Sequence, residues 1–230
     1  MRSSTPKLVP LLLSACLVLL LWSATDVAKE VKLVSPLVIT GDIKQVKLSK
    51  ENECCITARV TLGMHFVNRS STPVLLFVAK GYPLQGDYLL AGSKDDALHE
   101  KYLLINSAWP SSDRPAWEET RRKLDQAIPP EDLIRVIKPA ESWDFDTEAV
   151  LSIEIKGSFD KTNKPWSTIR EVDPLWLQVN FLMWPNNLEK NMPKPEFGRR
   201  LQQRWKDAGQ LVLENITSQP IPMSLPANEF

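Results

Sequence analysis

The sequence has few of the residues from which disulfide scaffolds, metal centres and catalytic sites are usually built. Its 230 residues include three cysteines and two histidines. So few cysteines cannot form the disulfide framework of a small secreted fold. The 28 basic side chains are balanced by 28 acidic ones, so net charge gives no reason to expect nucleic acid as a partner. Apolar residues make up 43% of the chain, which is typical of a globular protein.

The scarce histidines and cysteines do not match a catalytic or metal-binding motif. His65 falls on the outward side of an alternating segment, His99 lies in a polar segment, and neither has a nucleophile motif beside it. Cys54 and Cys55 lack the two-residue gap of zinc knuckles. Because neighbours in a strand point to opposite faces, we expect these two thiols to diverge, with a redox pair or an intermolecular bridge as the alternatives. We therefore expect no enzyme activity, no metal and no cofactor.

A basic start and an apolar run open the chain. Residues 1–7 carry two basic side chains and no acid, and residues 8–22 are almost wholly apolar. This is the signal-peptide pattern, and the run is shorter than the roughly 20 residues of a spanning helix. We predict that residues 1–28 form an apolar export helix, either cleaved as a signal peptide or kept as a membrane anchor. The remaining chain is then extracytoplasmic, either secreted or part of the cell envelope.

The sequence Leu13-Ser14-Ala15-Cys16 resembles the bacterial lipobox, in which the cysteine is lipidated. The apolar stretch before it is short, and residues 17–22 would remain on the mature protein as an apolar stub, where a polar tether is usual. Lipidation at Cys16, ordinary cleavage between residues 23 and 28, and an uncleaved anchor are the three outcomes that the sequence leaves open.

Apolar and polar residues alternate along much of the rest of the chain. Every even position of residues 56–66 is apolar or small, which predicts a strand with one buried face. Turn-forming residues such as those at 68–73 separate such segments. The further predicted strands are residues 74–78, 87–91, 102–105, 133–137, 143–155, 175–183 and 211–216.

Two short helices interrupt the predicted strands. The first is capped by Ser112 or Asp113 and stops before Pro129, and the second runs from about residue 195 to 208, with Gly209 at its end. Strands without regular strand–helix alternation favour an antiparallel sandwich. We predict one mostly β domain over residues 29–218, followed by a proline-rich extended tail over residues 219–230.

Two turns carry a resemblance to a known superfamily. Residues 60–78, with Asn68 at their turn, look like paired strands of bacterial immunoglobulin-like domains. The sequence Pro139-Ala140-Glu141-Ser142 is similar to the Pro-Gly-x-Ser turn of such domains, with Ala140 in place of glycine. The resemblance implies an antiparallel immunoglobulin-like β-sandwich, but it does not imply a particular function.

Tryptophan provides the first candidate site. Because the odd residues of segment 175–183 are apolar, its even residues share the other face, and two aromatic rings flanking amides could bind a sugar. The alternative is that the second helix covers this face. The predicted ligand-binding residues are Trp176, Gln178, Asn180 and Trp184.

Clustered acids provide the second candidate site. Asp144, Asp146 and Glu148 alternate with apolar residues, which is compatible with a hydrolase or a Ca²⁺ site and equally with the solvent face of an amphipathic strand. Asn68 and Asn215 each begin a glycosylation tripeptide.

These observations favour an exported, non-catalytic structural or protein-interaction module. Carbohydrate binding and an uncharacterised hydrolase are the alternative hypotheses, and the protein or glycan partner is not defined by the sequence.

Overall fold

The computed structural model describes residues 35–50, 54–79, 82–107, 117–155, 166–183 and 195–227, and within them the chain is mostly β. Eleven strands lie in this part of the chain: β1 (Leu37–Lys50), β2 (Cys55–Asn68), β3 (Val74–Ala79), β4 (Tyr82–Ala91), β5 (Leu104–Ser107), β6 (Ile134–Ile137), β7 (Ser142–Glu154), β8 (Leu175–Leu182), β9 (Gln210–Leu211), β10 (Ile216–Thr217) and β11 (Ile221–Met223). The same residues form four helices: α1 (Lys94–Leu98), α2 (Trp117–Leu124), α3 (Trp166–Ile169) and α4 (Pro195–Arg204).

The described strands form two sheets. The first has three long antiparallel strands in the order β1-β2-β7. The second follows the path β10-β8-β4-β3-β6, with β11 beside β8, β5 beside β4 and β9 beside β3. Its pairings are antiparallel except for β3 with β9, which run parallel. The predicted mostly β, antiparallel character is confirmed.

The two sheets share one hydrophobic core. The even residues of β2 from Ile56 to Phe66 are buried, and so are the odd residues of β8, as their alternation predicts. The rings of Phe66 and Phe181 meet edge to face with centroids 5.0 Å apart, which joins the two layers. The Tyr88 hydroxyl donates to the backbone carbonyl of Glu148 across the same interface at 2.9 Å. Each fully buried aliphatic side chain contributes about 1.5–3 kcal/mol.

The long strand β1 was not predicted. Ile39 and Ile43 face the core, but the pairing with β2 shifts between Ile43 and Gln45, after which Val46 packs against the core instead. A β-bulge inserts one residue and so reverses which face the following side chains occupy. The apolar residues of β1 therefore change parity halfway along the strand, which hides its alternation in the sequence.

The predicted separate tail at residues 219–230 is corrected by the structure. Its residues 221–223 form β11 on the edge of β8, and Ile221 and Met223 are buried in the shared core. Pro222 lies between them on the opposite face, at a sheet edge where a missing N–H is tolerated. The backbone N–H of Gln219 also donates to the Ile39 carbonyl at 2.7 Å. Alternation around Pro222, rather than proline content, determines the structure here.

The helices α2 and α4 build a second, smaller core. Trp205, Leu201 and Phe197 pack with Leu124 of α2 against Phe77 of β3, on the side of the sheet that faces away from the first core. This second core also contains Leu75, Leu133, Ile134 and Leu211.

The predicted helix over residues 195–208 ends earlier than expected, at Arg204, and a turn leads from there to Gly209. Gly209 has φ = 147°, and an added Cβ would lie 2.4 Å from the Pro73 carbonyl oxygen. The glycine therefore permits both the backbone conformation and the close approach of the chain to Pro73. The predicted caps Ser112 and Asp113 of the other helix lie outside the described residues.

Asn68 joins two turns at one end of the sheets. It is fully buried, and its side-chain amide donates to the carbonyls of Thr72 at 2.8 Å and Ile137 at 2.9 Å. Its own backbone carbonyl accepts from Ala140 N–H at 3.1 Å, and Ala140 has φ = 60°. The buried Asn68 amide is committed to these bonds and cannot carry a glycan in the folded chain, whereas Asn215 is exposed.

None of the helices within the described ranges is long and apolar enough to cross a bilayer. The predicted export helix over residues 1–28, including Cys16, lies outside those ranges.

Candidate functional site: the charged face of the three-stranded sheet

The outward side chains of β1, β2 and β7 form an exposed polar surface with ion pairs and hydrogen bonds between the strands, which we call the charged face. The odd residues of β2 point away from the core, and the register sets each of them between one residue of β1 and one of β7. The charged face consists of Asp42, Lys44, Arg59, His65, Asp144, Asp146 and Glu148.

His65 bridges the two neighbouring strands. Its Nδ1 lies 3.0 Å from Asp144 Oδ1 on β7, and its Nε2 lies 3.0 Å from Asp42 Oδ1 on β1. These hydrogen bonds, first that to Asp144 and then that to Asp42, raise the pKa of the imidazole, because both carboxylates favour its charged form. When protonated, the ring donates from both nitrogens and links all three strands.

Lys44 reaches across the central strand to Asp146. It stands at the bulge of β1, between Ile43 and Gln45, and its Nζ pairs with Asp146 Oδ1. The contact passes over Gly63, where an added Cβ would lie 2.8 Å from Lys44 Cε. The hydrogen bond to Asp146 raises the pKa of the Lys44 ammonium. The small residue at 63 therefore leaves room for the lysine to cross.

The third pair lies further along the same strands. Arg59 NH1 is 3.2 Å from Glu148 Oε1, and Val150 lies opposite Arg59 on β7. The predicted acidic cluster is thus brought onto one face, but each of its three acids is paired with a basic side chain on another strand. A glycosidase needs instead two carboxyl groups facing each other across a bound sugar. Among the described residues, no group of three His, Cys, Asp or Glu side chains is placed to hold a metal ion.

Solvent reaches the charged face along its length. The paired side chains keep between 43% and 62% of their surface exposed. Individually, such exposed pairs contribute about 0–1 kcal/mol to stability. The charged face is therefore not a major source of folding energy.

Three residues of the predicted tryptophan platform, Trp176, Gln178 and Asn180, lie on the outer face of β8. Trp176 is partly exposed, and Lys94 of α1 stands over its ring at 5.9 Å from the centroid. The second helix does not provide the alternative cover for this face, because α4 packs on β3 and its neighbours. Asn180 is partly exposed and its amide lies 3.4 Å from Asp87 Oδ2. Trp184 lies outside the described residues.

Gln178, the central residue of that predicted platform, is buried, and its side-chain amide is hydrogen-bonded within the protein. Its Nε2 donates to the Ser218 carbonyl at 2.9 Å, and its Oε1 accepts from the Tyr102 hydroxyl at 3.2 Å. The amide oxygen and one amide proton of Gln178 therefore form hydrogen bonds within the protein.

The adjacent cysteines lie at one end of the charged face, and the expectation that their side chains diverge is wrong. The Sγ atoms of Cys54 and Cys55 are 2.8 Å apart. Alternation does not apply to the pair because Cys54 precedes the first residue of β2.

Two further residues had no functional assignment from the sequence. His99 is exposed and caps α1, with Nδ1 2.8 Å from the Asp95 carbonyl. Asp42 was missed because β1 was missed, and only the strand pairing reveals that it meets His65.

Comparisons with known proteins give no family. No protein-family model and no curated protein matches the chain. One solved structure, titled "X-ray structure of Northeast Structural Genomics Consortium target SoR45", aligns over 83% of this chain and 86% of its own, at 6% identity and a TM-score of 0.30. Similarity at that level does not define a shared fold.

Proposed function

We propose that the chain is an exported, immunoglobulin-like β-sandwich protein that acts without catalysis, by binding another protein through its charged face. The single observation that carries the proposal is the ordered set of exposed, cross-strand charges on the three-stranded sheet. The signal-peptide pattern of the sequence over residues 1–28 supports the extracytoplasmic part of the proposal, and the Asn68 and Ala140 turns support the immunoglobulin-like part.

The outer surface of the three-stranded sheet, which includes the charged face, is large enough for a protein partner. β2 has 14 residues, which at about 3.3 Å per residue makes the sheet roughly 45 Å long. Three strands spaced about 4.8 Å apart make it roughly 14 Å wide once side chains are included. The area is of the same order as the ~800 Å² that each partner buries in a standard interface.

The sheet is also a rigid support. Ala58, Val60, Leu62, Met64 and Phe66, which lie behind the charged face, are fully buried. Side chains presented by such a packed strand hold their positions better than side chains on a loop. Alternating positive and negative groups then favour a partner with the complementary pattern and reject others, because charge complementarity contributes more to specificity and association rate than to affinity.

The proposal is tested by exchanging the charges of one pair. A photoreactive residue at position 61, between the Arg59 and His65 positions on the charged face, should cross-link the partner in the native envelope or secreted fraction. Arg59→Glu combined with Glu148→Arg keeps an ion pair and the fold but reverses the local pattern. We expect this double variant to lose the cross-linked species.

The matched control exchanges a pair away from the face. Glu196 and Arg199 form an exposed pair on α4 at 3.3 Å, so Glu196→Arg with Arg199→Glu alters charge to the same extent there. This control should retain the cross-link. Retention by both double variants, or the absence of any cross-linked protein for the native sequence, would contradict the proposal.

Carbohydrate binding is the second candidate, and the partial exposure of Trp176 and Asn180 on the same face of β8 favours it. Titration with cell-wall and plant polysaccharides should then change tryptophan fluorescence, and Trp176→Ala should abolish the change. No response to any polysaccharide removes this candidate.

A further inference from the structure

Cys54 and Cys55 form a thiol pair that the binding proposal does not use. Their sulfur atoms are 2.8 Å apart, and a disulfide bond is about 2.05 Å long, so bond formation needs less than about 1 Å of further approach. Cys54 is exposed and Cys55 partly exposed, so a reagent in solution can reach the pair.

We propose that Cys54 and Cys55 are a reversible redox site that closes to a vicinal disulfide by exchange with a disulfide-containing oxidant. The thiolate of one cysteine attacks a sulfur of the oxidant RSSR, forms a mixed disulfide and releases RS⁻. The second cysteine then attacks the first, forms the Cys54–Cys55 bond and releases the second RS⁻. Two protein thiols are oxidised, one external disulfide is reduced, and the two thiol protons leave with the two RS⁻ groups as RSH.

The surroundings of Cys54 and Cys55 give the two thiols different roles in this exchange. Cys54 is the more exposed residue and therefore the first nucleophile. The hydrogen bond that the Cys55 thiol donates to Cys54 raises the pKa of Cys55, and burial and the nearby Glu154 raise it further, so Cys55 is mostly protonated. Cys55 is thus suited to the resolving role, in which it attacks a sulfur that is already adjacent.

A Cys54–Cys55 disulfide would act as a reversible switch and would add little to the stability of the fold. A disulfide stabilises by closing a long loop in the unfolded chain, and adjacent residues close almost none. Neighbouring Cα atoms are about 3.8 Å apart, below the usual range of about 4.4–6.8 Å for bridged cysteines. Such a bond is strained, and exposed strained disulfides are the readily reduced ones.

Peptide mapping of the full chain tests the site directly. Trypsin cuts after Lys50 and Arg59, so both cysteines fall in the peptide 51–59, whereas Cys16 falls in the peptide 8–29. The folded, reduced chain is treated with oxidised glutathione, alkylated, denatured and digested. We expect peptide 51–59 to lose ~2 Da, to escape alkylation, and to recover both thiols on reduction with excess glutathione.

Variants separate the alternatives. Cys16→Ser should leave the result unchanged, whereas Cys54→Ser should leave Cys55 either reduced or as a mixed disulfide with glutathione. Peptide 51–59 linked to peptide 8–29 or to a second copy of the chain would overturn the proposal, and so would full alkylation of both thiols after oxidation. Because the reaction uses purified protein and an added oxidant, this outcome is independent of the partner-binding proposal.

Discussion

On the outer side of β3, Leu75 and Phe77 are buried beneath α4, whereas on the outer side of β2 the side chains of His65 and Arg59 are exposed to solvent. The difference is visible in the composition of the strands. Residues 74–78 are apolar without interruption and are buried on both faces, while residues 56–66 alternate and are buried on one. A continuous apolar run thus identifies a strand covered on both sides, and alternation identifies a strand with one open face.

The largest expected loss of stability comes from removing a side chain that covers the outer side of β3. Trp205 is 1% exposed, and its Nε1 donates to the Gln126 carbonyl at 3.1 Å. Trp205→Ala should reduce the free energy of unfolding by about 3–5 kcal/mol, because it leaves a large cavity under α4. Urea denaturation followed by circular dichroism measures the change.

The matched control for Trp205→Ala is Val150→Ala on the charged face. Val150 is 40% exposed, so its truncation should change the free energy of unfolding by less than about 0.5 kcal/mol. Equal losses of unfolding free energy from Trp205→Ala and Val150→Ala would contradict the difference in burial between the outer side of β3 and the outer side of the three-stranded sheet.

Substitutions at Gly41 and Gly63 allow the core side and the open side of the three-stranded sheet to be compared. An added Cβ at Gly41 would lie 2.8 Å from Ile221 Cδ1 in the core and 2.9 Å from the carbonyl oxygen of Gly63. We expect Gly41→Ala to cost about 1–3 kcal/mol, because packed core and backbone cannot move aside easily.

Gly63→Ala should be the milder of the two substitutions. Its Cβ would meet the ends of the Asp42 and Lys44 side chains, which can rotate into solvent. The expected cost is below about 1 kcal/mol, measured by urea denaturation alongside Gly41→Ala. A larger cost for Gly63→Ala than for Gly41→Ala would place rigid structure over the charged face.

Ala140 lies in the turn between β6 of the covered sheet and β7 of the open one. Its φ of 60° is a left-handed conformation that glycine adopts without steric cost. Ala140→Gly should therefore increase the free energy of unfolding by about 0.5–1 kcal/mol despite the added freedom of the unfolded chain. A rise in Tm measures this, with Ala149→Gly in the buried part of β7 as the opposite control, expected to lower Tm.

The smallest effect on stability concerns His65. Its pKa is raised in the folded chain above the ordinary value of about 6.5, so its stabilising contribution is complete below pH ~6.5 and is lost as the pH rises through the folded-state pKa. Because the ring is half-exposed, we expect less than about 1 kcal/mol. An NMR titration of the ring protons should show the raised pKa, and Asp144→Asn should lower it. A pKa at or below the ordinary value would contradict the two-carboxylate bridge.

Local alternation was sufficient to predict much of the fold and part of the candidate site. It determined the buried faces of β2, β7 and β8, and therefore which side of each strand would carry His65, Asp144 and Trp176. Those assignments follow from a two-residue period that each strand carries by itself. The turn at Ala140 was predicted separately, from the sequence Pro139-Ala140-Glu141-Ser142, in which alanine replaces the glycine that the backbone favours.

Contacts between distant strands were decided only by the tertiary structure. Asp42 and Asp144 meet His65 because β1 and β7 lie on either side of β2, although they are 23 and 79 residues away along the chain. The bulge that hides β1 and the return of β11 to the core depend in the same way on register and backbone direction. The sequence by itself determined which faces are apolar, because alternation is local. The pairing of the charges required the fold, because register is set by the whole sheet.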